Sequence, residues 1–174
     1  YKDIKQDALN LFIELTGINF NIVSQELSKL MLYIRDRPTV NKDDVNQIIN
    51  RSLEQNVFLL TEYIQKGKKD KAIQLLNDLI TMKEEPIKLL ALITSNYRLY
   101  YQSKILEQKG YSGQQIAKTV SAHPYRVKLA LNQARYYQLN DLLNIIDSCA
   151  ETDYKLKSSY MDKQLILELL ILSL

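Results

Sequence analysis

The sequence predicts an all-α protein, and three observations carry that expectation. Glycine (4) and proline (3) are sparse in a chain of 174 residues, so few breaks interrupt helical segments. Leu, Ile, Lys, Gln and Asn are abundant, and apolar positions recur at three- and four-residue spacing along most of the chain. No stretch shows a convincing strand alternation. With 46% apolar and 25% charged residues the usage is ordinary globular, which excludes disorder, collagen and a pure coiled coil, and the length suits one domain or two small ones. The 23 Lys and Arg against 20 Asp and Glu leave +3, too mild to imply nucleic acid by itself. One cysteine, Cys149, cannot form an intramolecular disulfide, and no signal peptide or membrane-spanning apolar run is legible, so a reducing, cytoplasmic setting is expected. The chain opens on Tyr1 rather than Met, inside what reads as a helical pattern, and is expected to be part of something longer.

Taken in order, Ile4, Ala8, Leu11 and Leu15 predict a first helix that Gly17 stops, and Val23, Leu27, Leu30 and Ile34 a second. After Pro38, Asn41 and Asp44 resemble a capping box, with Val40 and Val45 as a hydrophobic staple for a third helix through Ile48 and Ile49. Residues 1–52 thus read as a three-helix unit with seven positive and seven negative side chains. Leu53, Val57, Leu60 and Ile64 start a further helix that ends near Gly67, in a lysine-rich turn expected to be solvated. A helix through Ala72, Leu75, Leu79 and Met82 follows. Pro86 then suits a first helical turn, with Glu84 and Glu85 at its positive end. Nothing breaks that helix before Gly110. Gly113 opens a short segment with Ile116 and Val120, Pro124 starts a helix through Val127, Ala130, Leu131 and Ala134, and Leu139, Leu142, Leu143 and Ile146 mark another to about Lys157. Asp162 can cap the last helix, whose near-continuous apolar run reads as buried on most sides. About ten helices result. The junction at residues 50–53 lacks a Pro or Gly that would mark a rigid or loose linker.

Residues 53–174 carry all of the surplus charge, 16 positive against 13 negative, and unevenly. Residues 88–138 hold eight bases and one acid, Glu107, whereas residues 141–153 hold four acids and no base. Seven of the twelve tyrosines lie in the basic stretch, which mixes charge with stacking surface, although tyrosines packed inward on solvated helices explain it as well.

Chemistry is hard to build from this inventory. A histidine-based dyad or triad has only His123, which directly precedes Pro124 and reads as a helix cap or surface residue. With one Cys and one His no zinc site is expected, and no other metal or cofactor site is called for. The carboxylate pairs Asp43-Asp44 and Glu84-Glu85 sit at helix starts, where the macrodipole accounts for them. No Gly-x-x-x-x-Gly-Lys-Ser/Thr loop cradles a phosphate. One pattern points to nucleic acid: residues 114–120, a break at 121–123, and a second helix with Arg126 and Lys128 near its start have the spacing of a helix-turn-helix.

The segments together resemble the bacterial DNA polymerase III delta subunit of the clamp loader. The carrying residues are Leu15-Thr16-Gly17-Ile18-Asn19-Phe20 leading to Gln25-Glu26-Leu27-Ser28-Lys29-Leu30, and Asp36-Arg37-Pro38-Thr39-Val40-Asn41-Lys42-Asp43-Asp44-Val45. Ile116-Ala117 with His123-Pro124-Tyr125-Arg126-Val127, then Asp153-Tyr154-Lys155-Leu156-Lys157-Ser158-Ser159-Tyr160, and the leucine-rich end complete the set, which spans essentially the whole chain. The resemblance implies an AAA+ lid of three helices over residues 1–52 and a helical collar over residues 53–174, with the preceding nucleotide-binding-like domain absent. It implies a non-catalytic subunit of a DNA polymerase holoenzyme, whose collar assembles with the gamma/tau and delta-prime subunits, while the missing domain grips and opens the sliding clamp. Where related lids carry a sensor arginine, Asn21 stands here, so contact with a nucleotide phosphate is not expected.

By the same resemblance the segment ending at Tyr160 faces DNA entering the loader. Lys155 and Lys157 are then candidates for phosphate contact and Tyr160 for stacking on a base at the primer-template junction, with Tyr160 as a simple cover over the last helix the plainer alternative. Related chains often show Gly where Ser159 stands. Leu165, Leu169 and Leu172 are candidate subunit-interface residues, since a collar ring needs more apolar surface than a monomer of this size. A second class of function stays open on the residues alone: a free-standing DNA-binding regulator that uses residues 113–137 as a helix-turn-helix. An enzyme has almost no support.

Overall fold

The computed structural model describes residues 2–174, and Tyr1 lies outside them. Among the described residues the chain forms ten helices and one pair of two-residue strands. By contacts it divides into two compact units, the first running to Asn56 and the second being Val57–Leu174.

The first unit begins with β1 (Asp3–Ile4), which pairs in parallel with β2 (Thr39–Val40), Asp3 opposite Thr39 and Ile4 opposite Val40. This corrects the reading of Ile4 as a helical position. Two-residue strands are too short for an alternation to show, and the partner lies far along the chain. Helix α1 (Gln6–Thr16) starts just after, and Phe12, beside the expected Ala8, is its central buried residue. Gly17 ends α1 at φ +74, its N–H donating to the Ile13 carbonyl, and a Cβ there would meet Gln55 Nε2 at 2.8 Å. The left-handed φ is what requires glycine, since the far end of the Gln55 side chain can swing aside.

Helix α2 (Phe20–Ile34) is capped by Asn19, whose side chain accepts from the N–H groups of Asn21 and Ile22. Helix α3 (Lys42–Ile48) carries the expected capping box: Asn41 Oδ1 accepts from Asp43 and Asp44 N–H at 3.0 and 3.1 Å, and Asp44 Oδ2 accepts from Asn41 N–H at 2.9 Å. Arg37 adds a donation to Asp44 Oδ1 at 2.7 Å. Phe12, Leu30, Ile34, Val40, Val45 and Ile49 form the core these elements enclose.

The second unit contains most of α4 (Leu53–Gln65), then α5 (Lys69–Thr81), α6 (Pro86–Gln108), α7 (Gly113–Thr119), α8 (Pro124–Ala134), α9 (Leu139–Ser158) and α10 (Lys163–Ser173). Its organising element is α6, which packs against α7, α8, α9 and α10 and buries Leu89, Leu90, Ile93, Tyr97 and Tyr100. Tyr97 meets Tyr100 and Tyr137 edge-on, with ring centroids 5.6 and 6.0 Å apart. These three of the seven tyrosines in the basic stretch thus take the packed role, at least in part. The Tyr100 hydroxyl bonds Thr61 Oγ1 at 3.0 Å, whereas the Tyr97 and Tyr137 hydroxyls have no hydrogen-bond partner. Lys104 donates to the carbonyls of Ala134 and Tyr137 at 2.9 and 2.6 Å, closing the end of α8.

The lysine-rich turn is not simply solvated. Lys66 pairs with Glu62, and Lys69 donates to the Leu172 carbonyl at 2.6 Å, satisfying the open end of α10. His123 accepts from Tyr125 N–H at 3.1 Å and caps α8.

The Asn41 N–H, and with it the Arg37 guanidinium, hold the Asp44 carboxyl below the usual carboxylate value. A depressed value contributes stability that is present above the unfolded value and lost as pH falls through the folded one. Asp44→Asn should therefore flatten the decline in the first unit's urea midpoint below about pH 4, while Asn41→Ala should cost about 1 kcal/mol at neutral pH. In the second unit Tyr100→Phe should cost about 1 kcal/mol by thermal melting, and Tyr97→Phe, which removes an unbonded hydroxyl, close to nothing.

Candidate functional site

The last turn of α9, the link at residues 159–162 and helix α10 form the surface on which the sequence places its candidates. The link is built from local polar bonds. Ser159 N–H donates to the Lys155 carbonyl at 2.9 Å, Met161 N–H donates to Ser159 Oγ at 3.0 Å, and Leu165 N–H donates to Asp162 Oδ1 at 2.9 Å. Ser159 has φ −92, an ordinary value for any residue, so the turn that presents Tyr160 needs no glycine here. Tyr160 itself is 108% exposed. It does not cover the end of α10, which removes that alternative.

Lys155 and Lys157 lie in the last turn of α9, where cations favour the negative end of the helix. They differ in availability. Lys157 is paired with Asp153 at 2.6 Å, whereas Lys155 is exposed and has no ion-pair partner among the described residues. Lys155 also lines a cleft of about 410 Å³ between α9 and α10, together with Glu151, Met161, Ile166, Leu169 and Leu170.

Helix α10 separates its apolar residues into two faces. Ile166, Leu167, Leu170 and Ile171 are buried, and Leu165, Leu169 and Leu172 are 44%, 50% and 51% exposed. The exposed three sit at i, i+4 and i+7, one stripe on the side away from the core. The expectation of a run buried on most sides is corrected: only one side is buried within this chain. The structure brings Leu169 and Lys155 to one cleft and leaves Tyr160 projecting from the adjoining link. Sequence reasoning missed Tyr154, 72% exposed on α9, and Met161, 47% exposed beside Tyr160. Tyr154 stood inside the quoted motif, and its place opposite the buried Thr152 and Leu156 was the available signal.

Elsewhere, α7 and α8 form the expected pair of short helices around Ile116, Ala117 and Val127. Among the described residues no group of three or more His, Cys, Asp or Glu side chains could hold a metal ion, and no helix is long and apolar enough to cross a membrane. Cys149 is buried and free.

Fold and surface together define an all-α chain whose last helix keeps an apolar face outside its own core. Residues 54–174 match the family model described as DNA polymerase III delta subunit, C-terminal domain, and the chain belongs to that family. It is 40% identical over 173 residues to DNA polymerase III subunit delta of Bacillus subtilis (strain 168), covering 99% of this chain and 50% of that protein. It is 26% identical over 164 residues to the probable DNA polymerase III subunit delta of Aquifex aeolicus (strain VF5), covering 92% and 46% respectively. Among solved structures, the Bacillus subtilis DNA clamp loader delta protein superposes with a TM-score of 0.93 at 40% identity, over 99% of this chain and 51% of that one. The chain thus spans about half the length of the relatives it matches.

The two faces of α10 predict opposite responses to truncation. Leu167→Ala or Leu170→Ala should each cost about 2 to 5 kcal/mol in urea unfolding. Leu165→Ala, Leu169→Ala and Leu172→Ala should each cost under about 1 kcal/mol, because water already reaches them.

Proposed function

We propose that this chain is an assembly module of a replicative clamp loader, with residues 1–52 as an AAA+ lid and residues 53–174 as the collar. The exposed stripe of Leu165, Leu169 and Leu172 is the observation that carries this reading. Three leucines on one helix face, continuous with a cleft holding Met161 and Ile166, resemble the apolar centre of a protein interface more than the surface of a free monomer. The partners are the gamma/tau and delta-prime subunits. Membership of the delta family and the solved clamp-loader relative support that assignment.

In this reading the chain is non-catalytic, acts in the bacterial cytoplasm and needs no cofactor. Binding and opening of the sliding clamp belong to the part of the full-length protein outside this chain. Primer-template DNA meets the assembled complex at the link. Tyr160 is the stacking residue, since its ring is free on both faces, and Lys155 is the better phosphate contact, since Lys157 already satisfies Asp153.

Size-exclusion chromatography with light scattering, on the chain mixed with gamma/tau and delta-prime from the same bacterium, tests the proposal. A defined hetero-oligomer is expected, with Leu169→Asp weakening it more than tenfold while the variant's melting temperature is kept. Separate elution of a folded chain would overturn the assembly reading. In the assembled loader, Tyr160→Ala should lower primed-template affinity several-fold by fluorescence anisotropy.

A further inference from the structure

The charge asymmetry of the second unit is not used by the assembly surface. Residues 108–140 contain no carboxylate and five cations: Lys109, Lys118, Arg126, Lys128 and Arg135. In the fold this stretch is the end of α6 with α7 and α8. Lys118, Lys128 and Arg135 are exposed, and none of them forms an ion pair among the described residues.

On α8 the buried side is Val127, Ala130 and Ala134. At 100° per residue Lys128, Asn132 and Arg135 fall within an arc of about 60° on the side turned away from it, and Lys128 and Arg135 stand about 10 Å apart along the axis. Tyr136, next to Arg135, is 70% exposed. The helix that bears Lys128 and Asn132 and is closed by Arg135 is held at both ends, by the His123 cap and by the Lys104 clamp on the Ala134 and Tyr137 carbonyls. The cations are therefore presented on a fixed rod.

We propose that this outer face of α8 is a sequence-independent contact for the backbone of a nucleic acid, separate from the Tyr160 link. Phosphates are the ligand because the face offers isolated cations with no carboxylate of its own to satisfy. The side chain from another element that acts on Tyr136 is a further cation, Lys66, which is paired with Glu62. Base reading is disfavoured by Arg126. It is the guanidinium at the start of α8, where a recognition helix would insert, yet it is half-buried. A protein partner is disfavoured because the only large apolar residues exposed between Ile87 and Leu143 are Tyr111 and Tyr136, so no aliphatic anchor is offered. Exposed tyrosine beside arginine suits a stacked base instead. The inference does not depend on the assembly reading.

The test is fluorescence anisotropy of a labelled random-sequence 30-mer, single-stranded and as a duplex, titrated with the chain across a salt series. Lys128→Glu with Arg135→Glu should weaken binding at least tenfold at low salt. The neutral pair Lys128→Gln with Arg135→Gln should lower the slope of log affinity against log salt by about 1.4 on single strands. The reversal Lys5→Glu with Lys42→Glu, on exposed lysines of the first unit with the same change of net charge, should leave that slope within about half a unit. Circular dichroism confirms that each variant is folded, which the exposure of the substituted residues predicts. Absence of binding by the unsubstituted chain, an unchanged slope in the neutral pair, or equal loss in the Lys5 and Lys42 reversal would overturn the proposal. So would displacement by polyglutamate at equal charge concentration, which would assign the face to an acidic protein.

Discussion

The second unit depends on the buried face of one long helix. Along its 23 residues α6 packs against α7, α8, α9 and α10 through Leu89, Leu90, Ile93, Tyr97 and Tyr100, and leaves Lys88, Ser95, Arg98 and Gln102 exposed on the opposite side. Packing of that face within a shell of other helices supplies the free energy that the helix's own capping cannot. The tyrosines make the arrangement specific. Tyr97 and Tyr100 set edge-on ring contacts, and the Thr61 bond ties α4 to α6. Lys104 performs the complementary task at the rim, with its stem along α6 and its ammonium on the last carbonyls around α8.

That shell uses up only one side of α10. Ile166, Leu167, Leu170 and Ile171 complete the packing against α5, α6 and α9, while Leu165, Leu169 and Leu172 remain in water. A chain selected only to fold would gain nothing from a second apolar stripe and would lose solubility by it. On the proposed reading the stripe is a surface covered in the assembled loader, and it lies beside the link that carries Tyr160. Assembly and DNA contact would then share one corner of the unit, with Asp162 capping the helix that bears the first and ending the turn that presents the second.

Much of this was legible in the sequence because caps are local. Asn41 with Asp44, Pro86, Asp162 and the glycine stops mark helix ends through bonds to neighbours a few residues away, and each stands where its chemistry predicts. What was not legible depends on partners far along the chain. The pairing of Ile4 with Val40 leaves no alternation to read, and Lys69 looked solvated because its acceptor is Leu172. The two faces of α10 were hidden by composition, since seven of its eleven residues are Leu or Ile and the polar pair Gln164 and Glu168, bonded to one another, does not mark the exposed side. The surface candidates fared similarly: position could be inferred for Tyr160, but the Asp153 bond that occupies Lys157 required the folded helix.

The most direct test of the central claim, that the outer face of α10 is an intersubunit surface, is site-specific photocrosslinking in the assembled loader. A benzophenone side chain placed at Leu169 should form covalent adducts with another loader subunit, and the same group at Gln114, exposed on α7, should form none with a subunit. An assembled complex in which the probe at Leu169 forms no adduct, or one only within its own chain, would contradict the account.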